Sequence, residues 1–421
     1  MKQYLLGCLL VGIGLGLATF GFAGPPKETP YQTPAQRDDA PETVYQLPPA
    51  EMIPEGVSFI AAQTEDWSHK PLGIPEAHKI AKGKGSKICI LDTGFDPDHA
   101  EFRGRVKASK NFTSDRNAFD GNGHGTHTLG TAGAADDGEG TKGIAPEADL
   151  YVGKVLSNSG SGLTSWIAAG IYWAVDDCAV DVISMSLGSS SYDQRLHDAV
   201  KYAVSKGVVV VAAAGNEGPQ QDTVGYPGGH PETICVGSIG QTGRVSSFSS
   251  RGPEVFLAAP GEQILATLPG NRYGRLSGTS MATPAVAGIV TVAQGHAKVK
   301  LGRRLTPAEV KAILVKTIAD IDPAGRDTNT GWGLPLLVKV LGEIDKLATP
   351  VPPVDPPKPP VDPPVTPLPG KPSVTINLSD LSAEKQKEIL AKFPGFTAIH
   401  LIPGIDVIIE VKEKQQWQKA K

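Results

Sequence analysis

With 421 residues the chain holds one large domain or two to three ordinary ones, and has length to spare for a core. A net charge of −4, from 40 Lys+Arg against 44 Asp+Glu without a long basic run, gives nucleic acid no indicated docking surface. The 49 glycines and 36 prolines exceed ordinary usage, and the prolines crowd toward the two ends, so a compact middle with extended flanks is expected.

The chain opens on Met1-Lys2-Gln3-Tyr4, then an apolar run from Leu5 to about Phe22 that ends in Gly21-Phe22-Ala23. A charged start, an apolar stretch and a small-x-small site predict a secretory signal over residues 1–23, hence export to the periplasm or the medium, with no stable membrane insertion after cleavage. An uncleaved anchor is the alternative, since the run borders on spanning length. Leu5-Leu6-Gly7-Cys8 has the letters of a lipoprotein box but precedes the apolar run instead of following it. Residues 24–61, rich in proline and polar side chains, read as a largely extended pro-segment. Once Cys8 has left with the signal, Cys89, Cys178 and Cys235 remain, an odd number in apolar segments, which predicts buried free thiols with one pair left possible.

From residue 62 the texture changes. Short β-branched runs at 87–91, 149–155, 180–184 and 208–212 alternate with helical patterns at roughly 161–177 and 192–206. Continuously apolar strands separated by crossover helices predict a doubly wound α/β domain on a mainly parallel sheet over residues 62–347, with its chemistry at the carboxyl ends of the strands. Further helices are expected at 279–297 and, opened by Thr306-Pro307-Ala308-Glu309, at about 307–319. Residues 348–372 form a proline-dense, polyproline II-like linker. Past it, residues 373–421 read as a small α+β module of order βαββ, open to binding a partner, a surface or the enzyme itself.

Four positions in the large domain carry chemistry. Asp92 ends the first central strand in Ile90-Leu91-Asp92-Thr93-Gly94; alone it reads equally as a turn aspartate. Asp-Thr-Gly also marks aspartic proteases, but these need two such carboxylates and no second Asp-Thr-Gly occurs. His124, in Gly123-His124-Gly125-Thr126-His127, offers a general base that a carboxylate can orient; the two histidines lack the spacing of the H-E-x-x-H zinc motif. Asn216, in Ala214-Gly215-Asn216-Glu217, follows an apolar strand and can donate to an oxyanion. Ser280, in Gly278-Thr279-Ser280-Met281-Ala282-Thr283-Pro284, stands at the mouth of a buried helix; Thr279 or Ser280 can cap it and Pro284 is expected in its first turn.

In this order and with these flanking residues, the four positions resemble the subtilisin-like serine proteases over about residues 62–347. The resemblance implies a secreted endopeptidase acting on proteins and peptides, monomeric, with Ser280 as nucleophile, His124 as general base then acid, Asp92 as its orienter, and Asn216 with the Ser280 amide as oxyanion hole. It implies that Gly160, Ser161, Gly162 and Ser186, Leu187, Gly188 pair with an extended substrate backbone. Ala213, Gly215 and Glu217 then resemble walls of the pocket for the residue before the scissile bond, which suits large apolar side chains and broad specificity, with Glu217 able to accept a basic one. Structural calcium is the implied cofactor, held by the side chains of Glu101 and Asp137 and the carbonyls of Ala135, Glu139 and Thr141, with Gln63 or Asp66 as the amino-terminal ligand. The chain departs from the family at Ala285, where many relatives carry histidine, and in a pro-segment too short for a folded inhibitory prodomain. An inert subtilase-like scaffold that only binds is the reading from another class, disfavoured because all four catalytic positions are filled.

Overall fold

The computed structural model describes residues 41–47, 51–57, 62–321 and 324–348. The expected signal, the proline linker and the carboxyl-terminal module lie outside the described residues. In chain order the strands used below are β1 (Val44–Gln46), β2 (Glu51–Val57), β3 (Lys87–Asp92), β4 (Val106–Asn111), β5 (Asp149–Lys154), β6 (Ser161–Leu163), β7 (Val182–Met185), β8 (Val209–Ala213), β9 (Ile234–Ile239), β10 (Leu257–Pro260), β11 (Ile264–Leu268) and β12 (Arg272–Ser277). The helices are α1 (Ile74–Ala77, a single turn), α2 (His124–Gly133), α3 (Thr164–Asp176), α4 (Gln194–Ser205), α5 (Thr279–Leu301), α6 (Pro307–Thr317) and α7 (Leu337–Ala348).

Seven strands form one sheet in the order β10-β9-β8-β7-β3-β5-β4, and every pairing in it is parallel. The inner strands are apolar on both faces because helices cover both, whereas β4 at the edge reads Val106-Lys107-Ala108-Ser109-Lys110-Asn111 and has no buried residue. Alternate residues of β3 show this: Ile88 and Ile90 join the core that holds Leu129 of α2 and Val286 and Ile289 of α5, whereas Cys89 and Leu91 join the one with Ile167 and Ile171 of α3 and Leu196 of α4. This is the doubly wound α/β architecture expected from the strand and helix patterns. All three cysteines among the described residues are buried free thiols.

Helix α5 runs through the middle of one layer, with every residue from Thr279 to Ala297 buried. At about 1.5–3 kcal/mol per fully buried large apolar side chain, tertiary burial rather than helix propensity holds it. Pro284 lies inside this helix, not in its first turn as expected, and so denies the Ser280 carbonyl its ordinary i+4 donor. The Ser186 hydroxyl takes that place, donating to the Ser280 carbonyl at 2.8 Å. Ala285 sits next in the helix, almost fully buried in the main core, where a small side chain suits close packing. Helix α6 starts as anticipated, with a capping box between Thr306 and Glu309.

Within the segment expected to be a largely extended pro-segment, two pieces are strands that pair with the domain: β1 runs antiparallel to β6, and β2 antiparallel to β12, the strand that leads into Ser280.

Three buried histidines make the fold acid-sensitive. Burial pushes His69 down to about 4 and His127 down to about 3; His230, desolvated and stacked on His197 at 4.1 Å, falls to about 4. In the unfolded chain each returns to about 6.5, so the unfolded state binds more protons below that pH. The contribution of these three histidines is therefore full above about pH 6.5 and is lost progressively as pH falls toward their folded values. Denaturant midpoints measured from pH 7.5 to 4.5 check this; a constant midpoint would contradict it.

Candidate active site

Parallel strands deliver their last residues to one edge, and a strand order that reverses around β3 opens a crevice there. Asp92 is the final residue of β3 and is fully buried. His124 is the first residue of α2. Its Nδ1 meets Asp92 Oδ1 at 2.8 Å, which assigns the proton to Nδ1 and leaves Nε2 as the basic nitrogen. The Thr93 amide also donates to Asp92 Oδ1 at 2.7 Å, and Thr128 Oγ1 donates to Oδ2 at 3.2 Å, so the carboxylate is held at both oxygens. This approach requires Gly125: a Cβ there would lie 2.2 Å from the Gly94 carbonyl. His124 Nε2 is buried and has no hydrogen-bond partner among the described residues.

The second histidine of the motif points elsewhere. His127 Nε2 lies 2.9 Å from the Ile264 carbonyl and 3.2 Å from that of Gly274, tying α2 to β11 and β12. The two rings therefore serve separate partners.

Ser280 is fully buried in the first turn of α5, with its hydroxyl donating weakly to the Ser186 carbonyl at 3.4 Å. Neither Thr279 nor Ser280 is the cap, contrary to expectation. Gly278 is the N-cap residue and makes no side-chain cap, while Asn216 Oδ1 accepts from the Thr279 amide at 3.0 Å and from Thr279 Oγ1 at 2.9 Å. These two bonds fix the Asn216 amide so that Nδ2 is its donor end, beside Gly278, where a Cβ would stand 3.2 Å from it. An imidazole with a free basic nitrogen, a hydroxyl at a helix N-terminus and an amide donor beside it are the parts that acyl transfer needs.

The binding segments expected from the sequence hold a piece of the chain itself. Gly162 pairs with Tyr45 and Ser161 with Gln46 across β6 and β1. The Leu47 amide donates to the Gly160 carbonyl at 3.0 Å. From the other side, the Gln46 amide donates to the Gly188 carbonyl at 3.0 Å and the Gly188 amide to the Gln46 carbonyl at 3.1 Å. Tyr45 is fully buried, within the apolar cluster that includes Leu156, Ile167, Leu187 and Leu196. Beside this strand lies a cavity of about 540 Å³ lined by Gly188, Ser189, Gly215, Glu217, Asp222 and Gly225, among others. Ala214, not Ala213, reaches the cavity; Ala213 is buried within β8. Ser250 Oγ donates to Glu217 Oε2 at 2.7 Å, which keeps that carboxylate at the cavity wall. The lining residues Asp222 to Gly225 were not legible as such, because a loop's inward side has no period.

At the proposed metal loop, Glu101 is buried and accepts from the Ala135 amide (2.9 Å), the Thr141 amide (3.0 Å) and the Tyr273 hydroxyl (2.9 Å). Desolvation pushes its carboxyl up to about 7. Gln63 Nε2 donates to the carbonyls of Ala135 at 2.9 Å and Glu139 at 3.3 Å, so these oxygens converge on one amide. Asp66 is committed elsewhere, to the amides of Ser68 and Leu265 and to Arg275. Carbonyls beside a buried carboxylate are hard oxygen donors of the kind calcium takes, while Gln63 turns the donor end of its amide toward those carbonyls. Among the described residues no three His, Cys, Asp or Glu side chains converge.

Residues 83–333 match the Subtilase family, and the chain belongs to that family. It is similar to proteins named as proteases over most of their length. An "Intracellular serine protease" of Paenibacillus polymyxa is 44% identical over 272 residues, 63% of this chain and 79% of the relative. The "Major intracellular serine protease" of Bacillus subtilis is 41% identical over 289 residues, 66% and 87% of the two chains. "Subtilisin E" of Bacillus subtilis is 44% identical over 243 residues, 57% and 60%. The protein is accordingly a subtilisin-like serine endopeptidase.

Proposed function

We propose that the protein is a secreted serine endopeptidase with a zymogen form, using Ser280 as nucleophile, His124 as general base then acid, Asp92 as its orienter and Asn216 as an oxyanion donor. The observation that carries this reading is the docking of residues 44–47 between Gly160–Leu163 and Gly188: an extended peptide pairs through its backbone on both sides, beside the cavity lined by Gly188, Gly215 and Glu217. A substrate bound in this way exposes its carbonyl carbon to Ser280 Oγ. The Oγ proton passes to His124 Nε2 as the new C–O bond forms, and the oxyanion draws on Asn216 Nδ2 and the Ser280 amide. The imidazolium, steadied by Asp92, then gives its proton to the departing amine as the C–N bond breaks. Water repeats the sequence on the ester and restores the serine.

The cavity beside the strand is large enough for a bulky apolar side chain, and Glu217 and Asp222 on its wall suit a basic one, so specificity is broad. The segment that fills the groove continues into Pro48-Pro49, tertiary amides with fixed φ, which suits an occupant that stays rather than one that is cut. Export rests on residues 1–23, whereas two of the relatives are named intracellular. Cell fractionation with amino-terminal sequencing decides between them, because a cytoplasmic product that keeps Met1 would end the secretion reading. The protein works as a monomer on protein and peptide substrates, and residues 373–421 add a docking module for a partner or surface.

Calcium, when bound, supplies charge neutralisation between Glu101 and the 135–141 loop. Gln63, Glu101, Asp137 and the carbonyls of Ala135, Glu139 and Thr141 are the holding groups, and no catalytic step passes through them. Calcium at about 100 times its Kd is expected to add about 2.7 kcal/mol to stability. A Tm unmoved by calcium and by EDTA would remove this site.

The central reading is tested with a serine-directed phosphonylating reagent on the matured protein. It is expected to abolish casein cleavage and to add its mass to the peptide containing Ser280; activity that survives full treatment would sink the assignment.

A further inference from the structure

Asp120 is fully buried, lies in a loop before α2, and takes no part in the chemistry above, yet its carboxylate is the most heavily bonded near the crevice. Oδ1 accepts from Thr93 Oγ1 (2.8 Å), the Gly123 amide (2.8 Å) and the Asn122 amide (3.0 Å); Oδ2 accepts from the Thr126 amide (2.8 Å) and Thr126 Oγ1 (2.6 Å). Gly123, the N-cap residue of α2, has no side chain to satisfy the first amides of the helix, and Asp120 does so from outside it. Its bond to Thr93 reaches a different element, the turn directly after Asp92. Thr93 Oγ1 in turn accepts from the Gly125 amide at 2.8 Å. The carbonyl of Thr93 is gripped as well, by the fully buried Lys154, whose Nζ donates to it at 2.6 Å and also meets Asn158 Oδ1 at 2.9 Å and Asp115 Oδ2 at 3.2 Å.

We propose that Asp120 is a positioning residue for the Asp92–His124 pair: through Thr93 it locks the end of β3 to the start of α2. The proposal rests on the reading of His124 as general base. The Asp120–Thr93 bond serves the cap as well, since the Thr93 hydroxyl that donates to Asp120 accepts from the Gly125 amide. What the contact adds is a fixed distance between two elements, one ending in Asp92 and the other beginning with His124, where an error of about 1 Å costs about 10²-fold in rate.

The test compares matured wild type with Asp120→Asn and Thr93→Val on a chromogenic peptide. Asp120→Asn is expected to lower kcat by about 10²-fold with KM unchanged. Thr93→Val, which removes the tie to Asp120 and with it the acceptor of the Gly125 amide, is expected to lower kcat by about tenfold or more, while Thr93→Ser, which keeps both bonds, is expected to retain wild-type kcat; the double variant Asp120→Asn/Thr93→Val is expected to lose less than the product of the two. An Asp120→Asn protein that lowers Tm alone, with kcat as in wild type, overturns the proposal. So does an unchanged kcat in Thr93→Val, which serves as the deciding variant should Asp120→Asn not fold. A wild type that the phosphonylating reagent fails to inhibit would instead bring down the serine-protease reading itself.

Discussion

Ser280→Ala is expected to lower kcat by about 10⁶-fold, the size of loss documented for subtilisin, a member of this family, while leaving the fold intact. The physical asymmetry is large. The Ser280 hydroxyl makes one weak bond, at 3.4 Å to the Ser186 carbonyl, so its removal costs the fold no more than about 1 kcal/mol. The structural bond at this residue is the other one, from Ser186 Oγ to the Ser280 carbonyl, and it survives the substitution. Turnover on a chromogenic peptide together with Tm by calorimetry checks both halves. Loss of activity accompanied by an equal loss of folded protein would remove the claim that the hydroxyl acts chemically, and substantial residual turnover would remove Ser280 as nucleophile.

A synthetic peptide spanning residues 41–57 is expected to inhibit the matured enzyme competitively, and its Tyr45→Ala form to bind about 10²–10³-fold more weakly. Tyr45 is the fully buried side chain of the groove-filling strand, whereas Val44 is half exposed. Truncating a buried aromatic costs about 3–5 kcal/mol, and each 1.4 kcal/mol is tenfold in affinity. The backbone bonds to Gly160 and Gly188 remain in the variant, so the change isolates the side chain. A peptide that fails to compete with substrate, or a Tyr45→Ala peptide of equal potency, would contradict the zymogen reading. The same peptide also discriminates between occupant and substrate, because continuity into Pro48-Pro49 predicts that it outlasts a casein peptide in the presence of enzyme.

The readings that held were those whose causes are local. The strand at 87–91 and the crossover helices could be read because apolar residues recur with the period of the element they form, and Thr306-Pro307-Ala308-Glu309 because a capping box closes within one turn. At Ser280 local reasoning went astray. A serine and a threonine before an apolar run look like caps, yet the Thr279 amide is taken by Asn216, more than sixty positions away, and Pro284 is tolerated inside the helix because Ser186, on another loop, supplies the missing donor. Likewise nothing local in the sequence says that Gln63 bonds the carbonyls of Ala135 and Glu139 while Asp66 bonds the amide of Leu265; only the fold gives them these partners.

The residue types and spacing around Asp92, His124, Asn216 and Ser280 were thus enough to identify the family, since chemistry selects those side chains and their glycine neighbours directly. Tertiary structure alone decided which carboxylate holds the helix of His124, which residues line the cavity, and that Val44–Gln46 lies in the groove between Ser161–Leu163 and Gly188. Such contacts join segments far apart in the chain, and their free energy comes from burial and from hydrogen bonds whose partners no local pattern specifies.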